Sequence, residues 1–356
     1  MSRLKVGAVG LGWVTTHRHL PVMRASDHFD VVGVIDRSPG KAAALAKSSG
    51  YRRFAEVDAL DKVSWLDEVD AITVGASPGA HFPLIKSALD AGKHVLTEKP
   101  FTLDVREGKE LVELAKRRNL ILSVVHNFQF ASCTRKLEHD VRRGALGAIQ
   151  GITAVQLGNP RRRLPSWYEQ LPLGLFYDES PHFFYMLQKV APGPLTFLRS
   201  DVFPSTRGLV TPASITTHYS CKCADGRSVP VTVFMHFESP VSEWHVSLLG
   251  EDAFADLDIF RDIYLRLPND GLHTTSSVVR TSLLTTLQHW GQHCTSGFRH
   301  LAGSLRYGND EVFERFYHAV RTGTPAEGIS AADALAVLER QHEVLDHCNI
   351  LGSVKP

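Results

Sequence analysis

The first 125 residues alternate short apolar runs with helix-patterned stretches, and this alternation constrains the fold more than any other feature. Leu4–Val9, Phe29–Ile35, Tyr51–Phe54, Ala71–Ala76, Val95–Thr97 and Leu120–Val125 read as buried strands. Helices are predicted between them over Thr16–Arg24, Gly40–Ser48, Val57–Trp65, Phe82–Ala91 and Leu103–Arg118. Strands this apolar need both faces covered, and strand and helix in strict turn predict a doubly wound α/β domain with a parallel sheet.

Ligands of such a sheet bind outside the carboxyl ends of its strands, so the residues there carry the functional reading. The first strand runs into Gly10-Leu11-Gly12-Trp13-Val14-Thr15, a dinucleotide fingerprint with Thr15 where a third glycine usually stands. Gly10 permits the tight turn, and Gly12 lets backbone N–H groups approach a pyrophosphate at the helix N-terminus, with Trp13 and Val14 in the same loop. Asp36 follows Gly12 by 24 residues, the spacing at which an acid meets the adenosine ribose hydroxyls. Arg37 could stack on adenine or pair with a 2′-phosphate, so NAD(H) is expected with NADP(H) as the second option. Asp36 also reads as a turn residue before a helix with Ser38 as N-cap and Pro39 at its first position. The fifth strand ends in Glu98-Lys99-Pro100, which sets a lysine at the carboxyl edge, and Thr102 is expected to cap the next helix with Asp104 in its first turn.

The pattern changes after Phe130. A helix over Thr134–Arg143 and a strand over Ile149–Leu157 lead into a loop, Gly158–Leu173, rich in Arg and Pro. Arg163, in the run Arg161-Arg162-Arg163, could grip a phosphate or carboxylate or simply be solvated; Trp167 and Tyr168 could stack on a sugar or anchor the loop. In Asp178-Glu179-Ser180-Pro181-His182 the proline argues for a helix beginning near Asp178 to Ser180, with His182 in its first turn. Asp178 and His182 then form either an oriented acid–imidazole pair or a helix cap beside a packed histidine. Strand-like runs at Ser214–Cys223, Val229–Phe237, Trp244–Leu249, Phe254–Asp258 and Tyr264–Leu267 predict a large, mostly antiparallel sheet, and helices are expected over Asp310–Arg321 and Ala331–Asn349. The expected division is a dinucleotide-binding domain over residues 1–128 and an α+β domain over 129–356. A cleft between them would hold nicotinamide and substrate.

These motifs resemble those of the Gfo/Idh/MocA oxidoreductases, the glucose-fructose oxidoreductase and inositol dehydrogenase family. The matching residues are Gly10-Leu11-Gly12, Asp36, Ser77-Pro78…His81, Glu98-Lys99-Pro100, Asn127-Phe128…Phe130 and Gly144-Ala145-Leu146-Gly147. The resemblance implies a dinucleotide held by Gly10, Gly12, Trp13, Val14, Asp36, Arg37, Ser77, Pro78, His81, Glu98, Lys99 and Asn127. It implies Lys99, Asp178 and His182 as the catalytic set, with Tyr185 lining the substrate; Arg163 and Trp167, read from their own chemistry, are expected to line it too. Two departures stand out: Ser180 replaces the glycine midway through the family's Asp-x-x-x-His motif, and Tyr185 replaces the acid three residues beyond the histidine.

The expected activity is hydride transfer between a nicotinamide and a hydroxyl/ketone pair of a sugar, cyclitol or sugar derivative. One alternative is a lyase or glycoside hydrolase that uses tightly held NAD in a transient redox cycle. The other is a non-catalytic NAD-binding sensor. Lys+Arg 39 against Asp+Glu 38 excludes a long polyanion such as nucleic acid as an obvious partner. No apolar run has membrane-spanning length, and an odd count of 5 cysteines gives no disulfide framework, so a cytoplasmic protein is expected. His289 and His293 have ligand-like spacing beside Cys294, but no third ligand is evident and no metal is expected. A homodimer or homotetramer through the C-terminal sheet, with an open face apolar enough to associate, completes the expectation.

Overall fold

A computed structural model describes residues 2–351 and divides the chain by contact into two units. Of the described residues, 2–127 with 308–339 form the first and 128–307 with 340–351 the second.

The first unit holds β1 (Leu4–Val9), β2 (Phe29–Ile35), β3 (Arg53–Ala55), β4 (Ala71–Val74), β5 (His94–Thr97) and β6 (Leu122–Val124), all parallel in the order β3-β2-β1-β4-β5-β6. The order reverses between β1 and β4, which is where such sheets open a crevice. A π-wound turn, Thr15–His19, runs into α1 (Leu20–Ala25); α2 (Lys41–Ser49), α3 (His81–Asp90) and α4 (Val105–Arg118) follow. The segment 308–339, expected in the second domain, belongs here. Its helix α8 (Asn309–Thr322) buries Val312, Phe313, Phe316 and Tyr317, with Phe313 edge-on to Phe29 and His19. Ile329 then accepts a bond from Val124 N at 2.9 Å, extending pairing at the β6 edge.

Three local expectations are corrected by packing. The stretch 57–65 is not a helix; only short 3-10 turns, Leu60–Lys62 and Leu66–Glu68, form. Trp65 is the reason: a Cβ at Gly33 would lie 2.7 Å from its ring, so the glycine of β2 makes the floor on which the indole lies. The helix after Asp36 starts at Lys41, not Pro39, because the Glu56 carboxylate accepts the N–H groups of Gly40 (2.8 Å) and Ala43 (3.1 Å). At α4 the cap is Asp104, which accepts from Arg106 N at 2.6 Å; Thr102 instead donates to the Asp104 carbonyl.

The second unit is built on β7 (Ile149–Leu157), β8 (Leu195–Phe203), β9 (Ser214–Lys222), β10 (Ser228–His236), β11 (Glu243–Gly250), β12 (Ala253–Asp258), β13 (Ile263–Pro268) and β14 (Cys348–Ile350). Their order is β13-β12-β11-β7-β10-β9-β8-β14, antiparallel except at β7/β10 and β8/β14. The last strand comes from residues expected to end the C-terminal helix, α9 (Ala331–His347). α5 (Ser132–Arg142) and α6 (Leu175–Val190) lie in this unit, as does α7 (Thr275–Leu301), a 27-residue helix absent from the sequence expectation. Strand alternation leaves Thr153, Val155, Thr216, His218, Thr232, Phe234, His245 and Ser247 half-exposed on the open face. That face mixes polar residues with exposed apolar ones, Phe203, Leu249 and Phe254 among them, because Thr, Ser and His suit strands yet tolerate water.

Candidate active site

The carboxyl edge of the parallel sheet gathers the predicted dinucleotide residues. Gly10 has φ +78°, and a Cβ on it would lie 2.5 Å from Ala76 N, so no other residue fits. Gly12 faces open space, its nearest obstacle Gly75 O at 3.7 Å from a built Cβ, which leaves the backbone approachable. The Thr15 departure is compensated from β4. Thr15 Oγ1 donates to Gly10 O at 2.5 Å, and a Cβ on Gly75 would lie 2.2 Å from it. The room usually left by a glycine on the helix is therefore left by one after the neighbouring strand.

Asp36 is buried at the end of β2, accepting from Leu11 N (2.8 Å) and Ser38 N (2.9 Å) and pairing with Lys41 Nζ at 3.0 Å. Burial works against its charge, but the two backbone N–H groups and Lys41 outweigh it and hold the carboxyl below its ordinary value. Arg37 beside it is exposed. Lys41 escaped the sequence reading; a lysine five residues after such an acid, in the first turn of the next helix, is the signal that could have found it.

Glu98 is buried at the end of β5, its Oε1 2.8 Å from His19 Nε2 and its Oε2 accepting Lys99 N at 3.2 Å. Desolvation opposes the carboxylate, yet His19 and Lys99 together keep its acidity above normal. His19 is fully buried and its Nδ1 has no partner. It too was missed, since a histidine four residues after Thr15 gives no sign of reaching β5. Lys99 is half-exposed. Ser77 is half-exposed and Pro78 buried in the exit loop of β4. His81 is fully buried, with Nδ1 2.7 Å from Pro100 O and Nε2 3.1 Å from Ala76 O, and burial drives it to its neutral form. It is a strut between two loops, and as a neutral ring with one N–H it donates to one of these two carbonyls. Trp13 is exposed and stacks on His17, Val14 is half-buried, and Asn127 is buried.

In the second unit α6 begins at Leu175, earlier than expected, so Pro181 lies inside it instead of in its first turn. A proline there deprives the carbonyl four residues back of its donor. Gln341 of α9 supplies a replacement: its Nε2 donates to Tyr177 O at 2.8 Å and to Ser180 Oγ at 3.1 Å. Ser180, the departure from the family glycine, is thus part of the device that lets the helix continue through the proline.

His182 is buried on this helix, its ring edge-on to Phe128 at 4.8 Å and tilted against Trp244 at 5.2 Å. Its Nδ1 lies 2.7 Å from Tyr185 Oη, which also accepts Phe128 N at 3.1 Å. The residue replacing the family's acid is therefore hydrogen-bonded directly to the imidazole. Asp178 is half-exposed one turn before it. The next residue, Glu179, is buried and tied by hydrogen bonds to Gln156 and Arg162, so the middle arginine of the loop anchors to α6 while Arg163 is exposed. Trp167 is half-buried. Among the described residues, Glu243, His245 and Asp258 come within mutual ligand distance, but Arg261 bridges both carboxylates and supplies the cation.

Residues 4–126 match the family described as an oxidoreductase family with an NAD-binding Rossmann fold, Gfo/Idh/MocA. The chain is 33% identical over 151 residues to a dTDP-3,4-didehydro-2,6-dideoxy-α-D-glucose 3-reductase of Streptomyces violaceoruber, covering 42% of this chain and 43% of that one. The chain thus spans less than half of that relative's length. Two crystal structures share the whole fold at low identity. A 3-ketoreductase from Actinomadura kijaniata with NADP and TDP-benzene has TM-score 0.74 and 17% identity over 98% of this chain and 99% of that one. A dehydrogenase from Bordetella pertussis with NADH and UDP-GlcNAcA has TM-score 0.72 and 15% identity over 97% and 96%.

Proposed function

From a chain whose Rossmann unit belongs to the Gfo/Idh/MocA oxidoreductases, we propose an NAD(P)-dependent oxidoreductase acting on a hydroxyl/ketone pair of a sugar or sugar derivative. The observation that carries this reading is the carboxyl edge of the parallel sheet, where the Gly10 turn, Asp36 and Glu98-Lys99 end β1, β2 and β5. Gly10 and Gly12 would admit the pyrophosphate, Asp36 the adenosine ribose and Lys99 the nicotinamide ribose. When bound, the nicotinamide supplies or takes the hydride. Asp36 favours NAD(H), while Arg37 and Lys41 make NADP(H) acceptable; discrimination is modest. The matched relative is named as a sugar 3-reductase, which favours a sugar over a cyclitol.

His182 takes the hydroxyl proton in oxidation and returns it in reduction, and Lys99 stabilises the developing alkoxide. Asp178 lines the substrate beside them. Tyr185 gives the histidine a property a carboxylate would not. A carboxylate would set a full negative charge against Nδ1, whereas the Tyr185 hydroxyl is neutral and is bonded to Phe128 N as well as to the imidazole. In oxidation the Nδ1–H tautomer, donating to Tyr185 Oη, leaves Nε2 to take the proton, and the imidazolium so formed returns that proton in reduction. The protein works in the cytoplasm, where its five thiols stay reduced, and as a homo-oligomer.

The test measures kcat, NAD(P) affinity and melting temperature for His182→Ala, Lys99→Ala and Asp178→Asn with a panel of sugars, nucleotide-linked sugars and cyclitols. His182→Ala should lose about 10²–10⁴ in rate with cofactor affinity intact. Asp178→Asn should lose less, and Lys99→Ala should harm turnover and cofactor binding together. Near-native kcat in His182→Ala would leave Lys99 as the proton carrier. Failure to bind either dinucleotide would defeat the reading as a whole.

A further inference from the structure

The helix α7 is amphipathic in the wrong sense for a monomer. Of its 27 residues only Ser296 is buried. Gln288 takes the place of a strand beside edge strand β13, accepting from Arg266 N (2.9 Å) and donating to Arg266 O (2.9 Å). Gln292 does the same at Tyr264, accepting at 3.1 Å and donating at 2.6 Å. The side facing its own sheet is therefore polar and fully used, and it seals an edge that would otherwise pair with another chain. The opposite side, about 170° away at 100° per residue, carries the apolar side chains.

These are Val279 (61% exposed), Leu283 (59%), Leu287 (58%), Trp290 (67%), Phe298 (73%) and Leu301 (88%). The stripe runs for about 33 Å at the usual helical rise. Taking about 200 Å² for an aromatic and about 120 Å² for an aliphatic side chain, it exposes about 600 Å². That is the upper limit of what monomers leave uncovered, and two such stripes face to face reach about 1,200 Å², where specific interfaces begin.

We infer that α7 is a self-association surface, covered by α7 of a second copy of this chain about a two-fold axis. A single continuous stripe is complementary to itself in the way a two-fold contact requires. A membrane is disfavoured by charge: the helix carries only Arg280 and Arg299 as permanent cations, and its polar side is occupied by β13 in place of a basic face for lipid headgroups. This inference does not depend on the reaction the protein performs.

Sedimentation velocity on the full chain tests it, with far-UV circular dichroism and dinucleotide binding measured alongside. The native protein should sediment at micromolar concentration as a dimer or a multiple of one. Leu287→Glu, an exposed position where charge does not threaten the fold, should halve that mass with the spectrum unchanged. The milder Trp290→Ala should weaken association at least tenfold, as expected for a central aromatic anchor. A monomeric native chain, or unchanged mass in both variants, would overturn the inference, the latter by moving the contact elsewhere, such as the open sheet face. Co-sedimentation of a native monomer with phosphatidylcholine/phosphatidylserine vesicles would overturn it in favour of lipid.

Discussion

Replacing Gln341 tests whether α6 is held through its proline by a side chain from α9. In the native chain the buried Tyr177 carbonyl has its Pro181 partner missing and receives Gln341 Nε2 instead. Gln341→Met keeps the volume and removes the donor, leaving a buried carbonyl and the Ser180 hydroxyl each short of a partner. An unsatisfied buried acceptor costs about 1–3 kcal/mol, so a loss of about 2 kcal/mol is expected. Pro181→Ala restores an N–H able to reach Tyr177 O within the helix, so Gln341→Met should cost about 1 kcal/mol or less in that background. Urea unfolding of the two single variants and the double variant closes the cycle, and a coupling energy of about 1 kcal/mol is predicted. Additivity within about 0.5 kcal/mol would refute the compensation. Since α6 carries His182, kcat of Gln341→Met should fall as well, and Pro181→Ala should recover part of it.

His126 is buried with Nδ1 3.2 Å from Gly328 O, and desolvation lowers its pKa from 6.5 to about 4. Its contribution to stability is complete above the unfolded value and is lost as pH falls towards the folded one. Stability should therefore drop by about 2 kcal/mol from this group at about pH 5, and His126→Gln should flatten that part of the pH profile. His19→Leu removes the donor on the buried Glu98 carboxylate and should destabilise by about 2–3 kcal/mol above the carboxyl titration range; His19→Gln, which keeps a donor, should recover most of it in thermal unfolding. Lys41→Ala should weaken 2′,5′-ADP binding about tenfold relative to 5′-AMP by calorimetry, whereas equal effects on both would mean that Lys41 only steadies Asp36.

The parallel half of the fold was legible because both of its signals are local. Strand apolarity and the Gly10 turn depend on neighbours in sequence, and a carboxyl-edge motif such as Glu98-Lys99 inherits its place from the strand before it. The His182 helix was legible in kind but not in extent. Pro181 reads as a helix start unless a donor arrives from elsewhere, and Gln341 lies 160 residues away. The same holds for Thr15, tolerable only because Gly75 yields space, and for His19, whose partner Glu98 sits on another strand. α7 escaped because its pattern is inverted: its apolar residues face outward and its glutamines bond to a strand edge, so ordinary amphipathic reading finds no core face. Sequence determined which residues sit at the carboxyl edge and on the His182 helix. Tertiary structure alone decided which hydrogen bonds hold them there, because a buried polar group takes the nearest partner in space, whatever its distance along the chain.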